Sequence, residues 1–436
     1  MKIAFFSDCY LDLTGGIVSS INAQKAALEA AGHTVCIFSP GYPRSKRQLT
    51  TLAAKHIYQV PSCKLFFYKL TPVSRRPGVI EKWLLRQHPE LREFNIFYVH
   101  YEAGCSIAAL RLGKRLGIPT AQVMHGREDM GETNIIPFGL RTFVAWGLNW
   151  LHSWYLPHSV KIHRDNYLAD STAKAKMWTL MVNHANAADL VLTPSEHFRQ
   201  KLLHYGVKRE IKVFPNGYPD AKFPQSPDIK ELIPGHELCI IWHSRVSAEK
   251  RMMPFLRALA KIKDKYRLDV YGGGGDHFRA RRFARRHHLN VYFHGNAEFD
   301  VVQTAIAKAH LDVLVSSNFD TFGMTLIEAE AHGVPVFFCD PDMREVVPRG
   351  SYIISRSPSS DDMAAALNDL IAHPEKIKQM SEVMLKHRDE VLISKRIKKL
   401  VQIFKYLGGW CCRRGTPTEL ADVGEEAATG PTQNMV

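Results

Sequence analysis

What this 436-residue chain lacks narrows it at once. No collagen-like or low-complexity tract runs through it. With 45% apolar and 23% charged residues it has the balance of an ordinary globular protein, so general disorder is excluded. Long hydrophobic runs are missing too. The longest, Thr142 to Leu151, is interrupted by Asn149 and followed by His152, short of the roughly 20 residues a spanning helix needs. Lys2 is followed by only four apolar residues and no small-residue exit, which does not read as a cleavable secretory segment, and a cytoplasmic location is expected. Cysteine is sparse and unpatterned. The eight, at 9, 36, 63, 105, 239, 339, 411 and 412, form no Cys-x-x-Cys pair and have no His spacing suited to zinc, so free thiols in a reducing compartment are expected.

Charge is plentiful but uneven. The formal net charge is +14, and residues 1–215 carry 27 Lys and Arg against 15 Asp and Glu, whereas the remainder carries 30 against 28. A +12 half beside a +2 half calls for an anionic partner of one lobe: nucleic acid, an anionic membrane surface or an acidic substrate. No recognisable RNA or DNA module is present, which makes nucleic acid the weakest of the three.

Short apolar runs alternate with helical periodicity through both halves. In the first, strands are expected at Lys2–Phe6, Val35–Ser39, Ile96–Val99, Thr120–Met124 and Leu190–Thr193, with helices over Ile17–Ala31, Gly104–Leu116 and up to His204. The pattern restarts with Leu238–Trp242, a helix over Met253–Lys263, Arg267–Val270, a helix from Asp276, Val291–Phe293, Asp312–Val315, a helix over Gly323–His332 and Val334–Phe338. Such alternation predicts an α/β protein of two Rossmann-like domains facing a central cleft, 1–215 and 216–390, joined by the Pro/Asp/Asn/Gly-rich stretch from Phe214 to Pro234. Residues 391–407 read as a basic amphipathic helix, either packed or lying on a membrane, and 408–436 as a disordered tail.

The chemistry-bearing windows follow strands. Ser316–Pro335 places a polar loop before a helix whose amino-terminal N–H groups point back at the strand ends. Asp320 and Glu328 lie eight apart, so both can accept hydrogen bonds from sugar or ribose hydroxyls; equally, Asp320 can cap the helix and Glu328 be an ordinary helix residue. Arg245 and Lys250 follow the first strand of the second half, two cations beside a helix start of the kind a diphosphate requires. Gly272 to Gly275 either let a ligand approach the backbone or make a flexible turn.

The order of these elements resembles family 4 of the retaining glycosyltransferases, which use the two-domain GT-B fold. The matching segments are Thr14-Gly15-Gly16, His125-Gly126, Phe214-Pro215-Asn216-Gly217, Ser244 to Lys250, Gly272 to Gly275, Asp320-Thr321-Phe322-Gly323 through Glu328, and Ala329-x-Ala331-x-Gly333-x-Pro335. The family carries Glu at both ends of its Glu-x7-Glu element; this chain has Asp320 at the first. The resemblance implies that Arg245 and Lys250 neutralise a donor diphosphate, that Gly15 and Gly16 meet it across the cleft, and that Gly272 and Gly273 line the donor. Glu328 would hold the ribose hydroxyls, Asp320 the transferred sugar, Phe322 and Gly323 would offer backbone donors, and His125 would stand by the reacting centre or be a satisfied structural histidine.

Retaining glycosidases use two close carboxylates, a pair not read here. Same-face attack through an oxocarbenium-like state is expected instead, with the diphosphate stabilised by cations and helix termini. No Asp-x-Asp metal clamp is evident, and neither a metal nor a cofactor is expected. Tyr58–Pro77 and Trp146, Trp150 and Trp154 at helical spacing are similar to segments of membrane-associated diacylglycerol glucosyltransferases, although the Trp stripe also suits core packing. The expected activity is transfer of a hexose, first of all glucose from UDP-glucose, to a diacylglycerol-type lipid, the enzyme resting peripherally on the anionic inner face of the cell membrane. Transfer to a soluble glycan or cell-wall precursor, and a non-catalytic nucleotide-sugar-binding protein, remain as alternatives.

Overall fold

Lys2–Ser7 (β1) is buried at every position after Lys2, which is why it reads as an unbroken apolar run: a parallel strand covered on both faces has no solvent side to make polar. The computed structural model describes residues 1–11, 15–41, 46–64, 72–127, 129–130, 136 and 138–412. Around β1, the strands Thr34–Ser39 (β2), Ile57–Gln59 (β3), Ile96–His100 (β4), Thr120–Val123 (β5), Leu190–Thr193 (β6) and Ile211–Val213 (β7) form a parallel sheet in the order β3-β2-β1-β4-β5-β6-β7. Helix Gly16–Ala30 (α1) follows β1, and helix Arg141–Ser153 (α2) lies between β5 and β6. A short antiparallel pair, Ser62–Lys64 with Pro72–Ser74, stands apart from the sheet.

The second sheet is Leu238–His243 (β8), Tyr266–Tyr271 (β9), Val291–Gly295 (β10), Leu311–Leu314 (β11), Val336–Phe338 (β12) and Tyr352–Ile354 (β13), all parallel, ordered β10-β9-β8-β11-β12-β13. In each sheet the winding reverses beside the first strand, between β1 and β4 and between β8 and β11. Ligands of open α/β sheets bind outside the carboxyl ends of the strands at such a reversal. The expected two-domain α/β architecture is therefore present, and helix Met324–Ala331 (α3) starts at the reversal of the second sheet.

The chain then returns. Helix Ile393–Cys412 (α4) buries Ile393, Ile397, Leu400, Ile403, Phe404 and Leu407 in the first lobe's core with Ile3, Phe5 and Ile21. The packed reading of this basic helix is the one observed, its lysines facing solvent. A Cβ on Gly217 would lie 2.7 Å from Ile393, so the outgoing and returning connections touch backbone to backbone. Tyr218 and the return segment exchange hydrogen bonds, Tyr218 N–H to Val391 at 2.7 Å and Ile393 N–H to Tyr218 at 2.9 Å.

Some expected boundaries move. Gly408–Cys412 continue α4, where a tail was expected; the tail from 413 onward lies outside the described residues, as do Thr14 and residues 65–71 of the Tyr58–Pro77 segment. The helix expected over Met253–Lys263 spans Met252–Leu259. Three-residue edge strands β3, β7 and β13 were not anticipated, being too short to show a period.

Candidate active site

The loop after β8 and the glycine run after β9 are laced together. Val246 N–H donates to Gly273 O at 2.9 Å and Asp276 N–H to Val246 O at 3.0 Å. Gly272 has φ of +123°, and a Cβ there would meet Ser244 O at 2.4 Å. The glycines are thus a fixed close contact and not a flexible turn. On this platform the Lys250 ammonium lies 2.6 Å from Asp320 Oδ1, both side chains about one-tenth exposed. Arg245 is exposed and held 3.1 Å from Glu249, which also accepts from Ser247 Oγ at 2.6 Å.

Asp320 does not cap the helix; it accepts from Lys250 and from Ser316 Oγ. The helix start falls to Gly323, at φ +68°, where a Cβ would sit 2.8 Å from Leu314. The Phe322 ring is buried in the second lobe's core, with the Arg396 guanidinium of α4 5.9 Å above it. The amides of Phe322 and Gly323 make no hydrogen bond among the described residues. Glu328, one turn into α3, is reached by His243 Nδ1 at 3.4 Å and Gln303 Nε2 at 3.2 Å, so it is not an ordinary surface helix residue.

Across the cleft, Gly16 faces this helix start: a Cβ on it would be 3.0 Å from Met324 Cγ. The amino termini of α1 and α3 thus converge, each carrying unsatisfied N–H groups and the positive end of a helix dipole. His125 closes the same edge. Its carbonyl accepts from the Thr321 hydroxyl, its Nε2 is 2.7 Å from His100 Nδ1, and burial lowers it to about 4, leaving a neutral imidazole. Gly15, Gly16, His125, Asp320, Phe322 and Gly323 are brought together, with Lys250 and Glu328 flanking them in the second lobe. Arg245 is exposed, and Gly272 and Gly273 pack against the Ser244–Val246 loop that carries it.

One expectation fails on the sequence itself. Asp340-Pro341-Asp342, after β12, has the Asp-x-Asp spacing that was not expected. Its carboxylates are already engaged: Asp340 accepts from the amides of Asn318 and Asp342, and Asp342 pairs with Lys201 of the first lobe at 2.5 Å.

Two family descriptions cover this framework: Glycosyltransferase Family 4 matches residues 14–222 and Glycosyl transferases group 1 matches residues 227–386. The chain belongs to the family 4 glycosyltransferases. It is 25% identical over 392 residues to the alpha-monoglucosyldiacylglycerol synthase of Streptococcus pneumoniae (strain ATCC BAA-255 / R6), covering 86% of this chain and 79% of that one. The protein of the same description from Acholeplasma laidlawii is 19% identical over 350 residues, covering 77% and 79%. Among solved structures, Anabaena HepE in complex with UDP and glucose superposes with a TM-score of 0.61 at 16% identity, over 93% of this chain and all of that one. Sucrose-phosphate synthase from Thermosynechococcus elongatus gives 0.63 at 15%, over 94% and 99%. The shared architecture is GT-B.

The glycosyltransferase also carries features its sequence did not announce. Arg127 and Asp129 form a buried pair at 2.6 Å beneath the cleft, and Arg127 reaches across to the Asn318 carbonyl. His243 is buried between two carboxylates; the only signal was a histidine ending an apolar strand, with an aspartate on the next strand in the sheet. The tryptophan ladder formed by α2 and its C-cap residue Trp154 is not core. Trp146, Trp150 and Trp154 are 52%, 47% and 61% exposed, Phe143 is 72% exposed, and the first two indoles stack with centroids 6.1 Å apart.

Proposed function

We propose that this glycosyltransferase moves a hexose, glucose from UDP-glucose, to a diacylglycerol-type lipid with retention of configuration, at an anionic membrane surface on the cytoplasmic side. The observation that carries the lipid acceptor is the exposed α2 face. Four large aromatics on one side of a helix are costly to leave in water, and tryptophan favours the bilayer interface. The face belongs to the lobe with the +12 charge excess, which suits acidic headgroups. Relatives described as glycolipid synthases cover most of the chain, which supports the same reading. No helix among the described residues is long and apolar enough to cross a membrane.

In this reading the donor diphosphate lies between the amino termini of α1 and α3. Lys250 and Arg245 neutralise it, with Gly15 and Gly16 closing from the first lobe and Gly272 and Gly273 shaping the outer wall. Lys250 exchanges part of its contact with Asp320 for the phosphate, which frees an Asp320 oxygen for the sugar hydroxyls. The free amides of Phe322 and Gly323 donate beside it, and Glu328 accepts from the ribose. The bond from the anomeric carbon to the diphosphate oxygen breaks through an oxocarbenium-like state. The lipid hydroxyl attacks from the same face, and its proton passes to the departing phosphate oxygen. Neutral His125 serves as a hydrogen-bond partner at this centre and not as a general acid, since burial keeps it unprotonated near neutrality. Cations and helix termini stabilise the leaving group in this scheme, so turnover is expected to survive metal removal.

The test is nucleotide release from UDP-glucose, UDP-galactose and GDP-mannose, with and without diacylglycerol in anionic liposomes, in excess EDTA. Release from UDP-glucose that requires the lipid supports the donor, the lipid acceptor and independence of metal, and the anomeric configuration of the glycolipid product tests retention. Lipid-independent transfer to a soluble glycan, or tight nucleotide binding without turnover, replaces it.

A further inference from the structure

Glu328 is gripped on one oxygen only. Both His243 Nδ1, at 3.4 Å, and Gln303 Nε2, at 3.2 Å, approach Oε2, and no group among the described residues binds Oε1. Gln303 is itself locked, its carbonyl accepting from Tyr218 Oη at 2.8 Å and lying 2.9 Å from His332 Nε2. Behind His243, Nε2 sits 2.8 Å from Asp312 Oδ2; the His243 and Asp312 side chains are 3% and 1% exposed. The other oxygen of Asp312 is buried with no partner, so this carboxylate has a single engagement, the His243 ring.

Both ring nitrogens of His243 thus face carboxylate oxygens, and only the imidazolium can donate from both at once. Burial by itself would lower the His243 value, but Asp312 and Glu328 together overrule it and raise it to about 10. The other titratable groups facing the cluster, Tyr218 and His332, are both neutral near pH 7.

We propose that His243 is a positioning residue: clamped between Asp312 on β11 and Glu328 on α3, it holds Glu328 by Oε2 and so turns Oε1 toward the ribose hydroxyls of the donor. This rests on the reading of Glu328 as the ribose acceptor. It accounts for a buried aspartate with one contact and for a strand that ends in a charged ring beneath the nucleotide. A charged hydrogen bond to the ribose corresponds to a preference of about 10- to 100-fold for UDP over 2′-deoxy-UDP as inhibitors.

The experiment measures that preference in the full-length enzyme, in Glu328→Gln and in His243→Asn. The expected result is a wild-type preference in that range, falling below about 3-fold in both variants, with KM for UDP-glucose raised in His243→Asn and kcat little changed. A general loosening of the fold would weaken both nucleotides alike and leave the preference intact. Collapse in Glu328→Gln with full preference in His243→Asn overturns the proposal alone. Absence of any preference in the wild type removes the Glu328–ribose contact, and the proposal with it. Asp312→Asn, which takes away the anchor of the imidazolium, supplies the same readout should His243→Asn fail to fold.

Discussion

The two lobes present different kinds of surface. In the second lobe nearly every functional side chain is held by another: Lys250 by Asp320, Asp320 by Ser316, Glu328 by His243 and Gln303. The first lobe instead turns Phe143, Trp146, Trp150 and Trp154 outward, each about half exposed or more and the three indoles touching one another. A nucleotide sugar is small and stereochemically defined, so fixed charges and donors recognise it best; a bilayer surface has no fixed geometry and is met by area and composition. Net charge hides part of this contrast. The nearly neutral second half contains the helix His277–Arg286, where Arg279, Arg281, Arg282, Arg285 and Arg286 are all exposed.

The sharpest way to break the contrast is at Lys250. Lys250→Ala removes the cation beside the leaving phosphate and should cost about 2–4 kcal/mol of transition-state stabilisation, read as slower nucleotide release. Near-wild-type release would mean the second lobe's charges are structural only. On the other lobe, changing Trp146 and Trp150 together to Ser should weaken cosedimentation with anionic vesicles by about 10- to 100-fold, given the aromatic area each withdraws from lipid. Turnover of a dispersed short-chain diacylglycerol should stay as in the wild type. Unaltered vesicle binding would move the docking element to the segment around Arg75 and Arg76, where charge reversal to Glu is the next variant.

Buried histidines extend the comparison to pH. Burial holds His125 down to about 4 and His184 to about 3, and lowers His100 and His152 as well. Their folded values lie below those of the unfolded chain, so the stability present above about pH 6.5 is lost as pH falls. The loss approaches about 1.4 kcal/mol per group per pH unit between the folded and unfolded values. His332 of the second lobe behaves alike, at about 4. His243 is opposite: raised to about 10, its contribution is complete below about pH 6.5 and disappears as pH climbs through 10. Thermal denaturation should show Tm falling from pH 7 to 5.5, and a second decline on the alkaline side, shared with the buried Glu330 and cysteine thiols and shallower in His243→Asn. A flat profile would contradict both assignments. The smallest effect is expected of Asp320→Glu, which restores the family's usual residue: activity within a few-fold and an altered ratio between UDP-glucose and UDP-galactose, measured as kcat/KM. Complete inactivity would show that the Lys250–Asp320 contact tolerates no extra methylene.

Much of the site was legible because it lies where local pattern and chemistry coincide. A glycine run, a cation pair and a carboxylate pair each follow an apolar strand, and strand ends are where a parallel sheet presents ligands. What escaped notice depends on neighbours distant in sequence. His243 and Asp312 are 69 residues apart, and their pairing follows from β8 lying beside β11. Asp340 and Asp342 looked unremarkable until the fold brought them against Asn318 and Lys201. The tryptophan ladder could be core or surface, because a helical period says which residues share a face and not what that face meets.

Composition, strand and helix periodicity, and the spacing of glycines and charges were enough by themselves to determine two parallel α/β lobes and the strand-end loops where charges and glycines gather, since each is encoded within a few consecutive residues. The tertiary structure alone decided that α4 returns to the first lobe, that α2 shows its aromatics to the outside, and that Glu328 is held by a buried imidazolium. Those depend on which surfaces meet after the chain has folded, and burial and charge pairing are properties of the meeting surfaces.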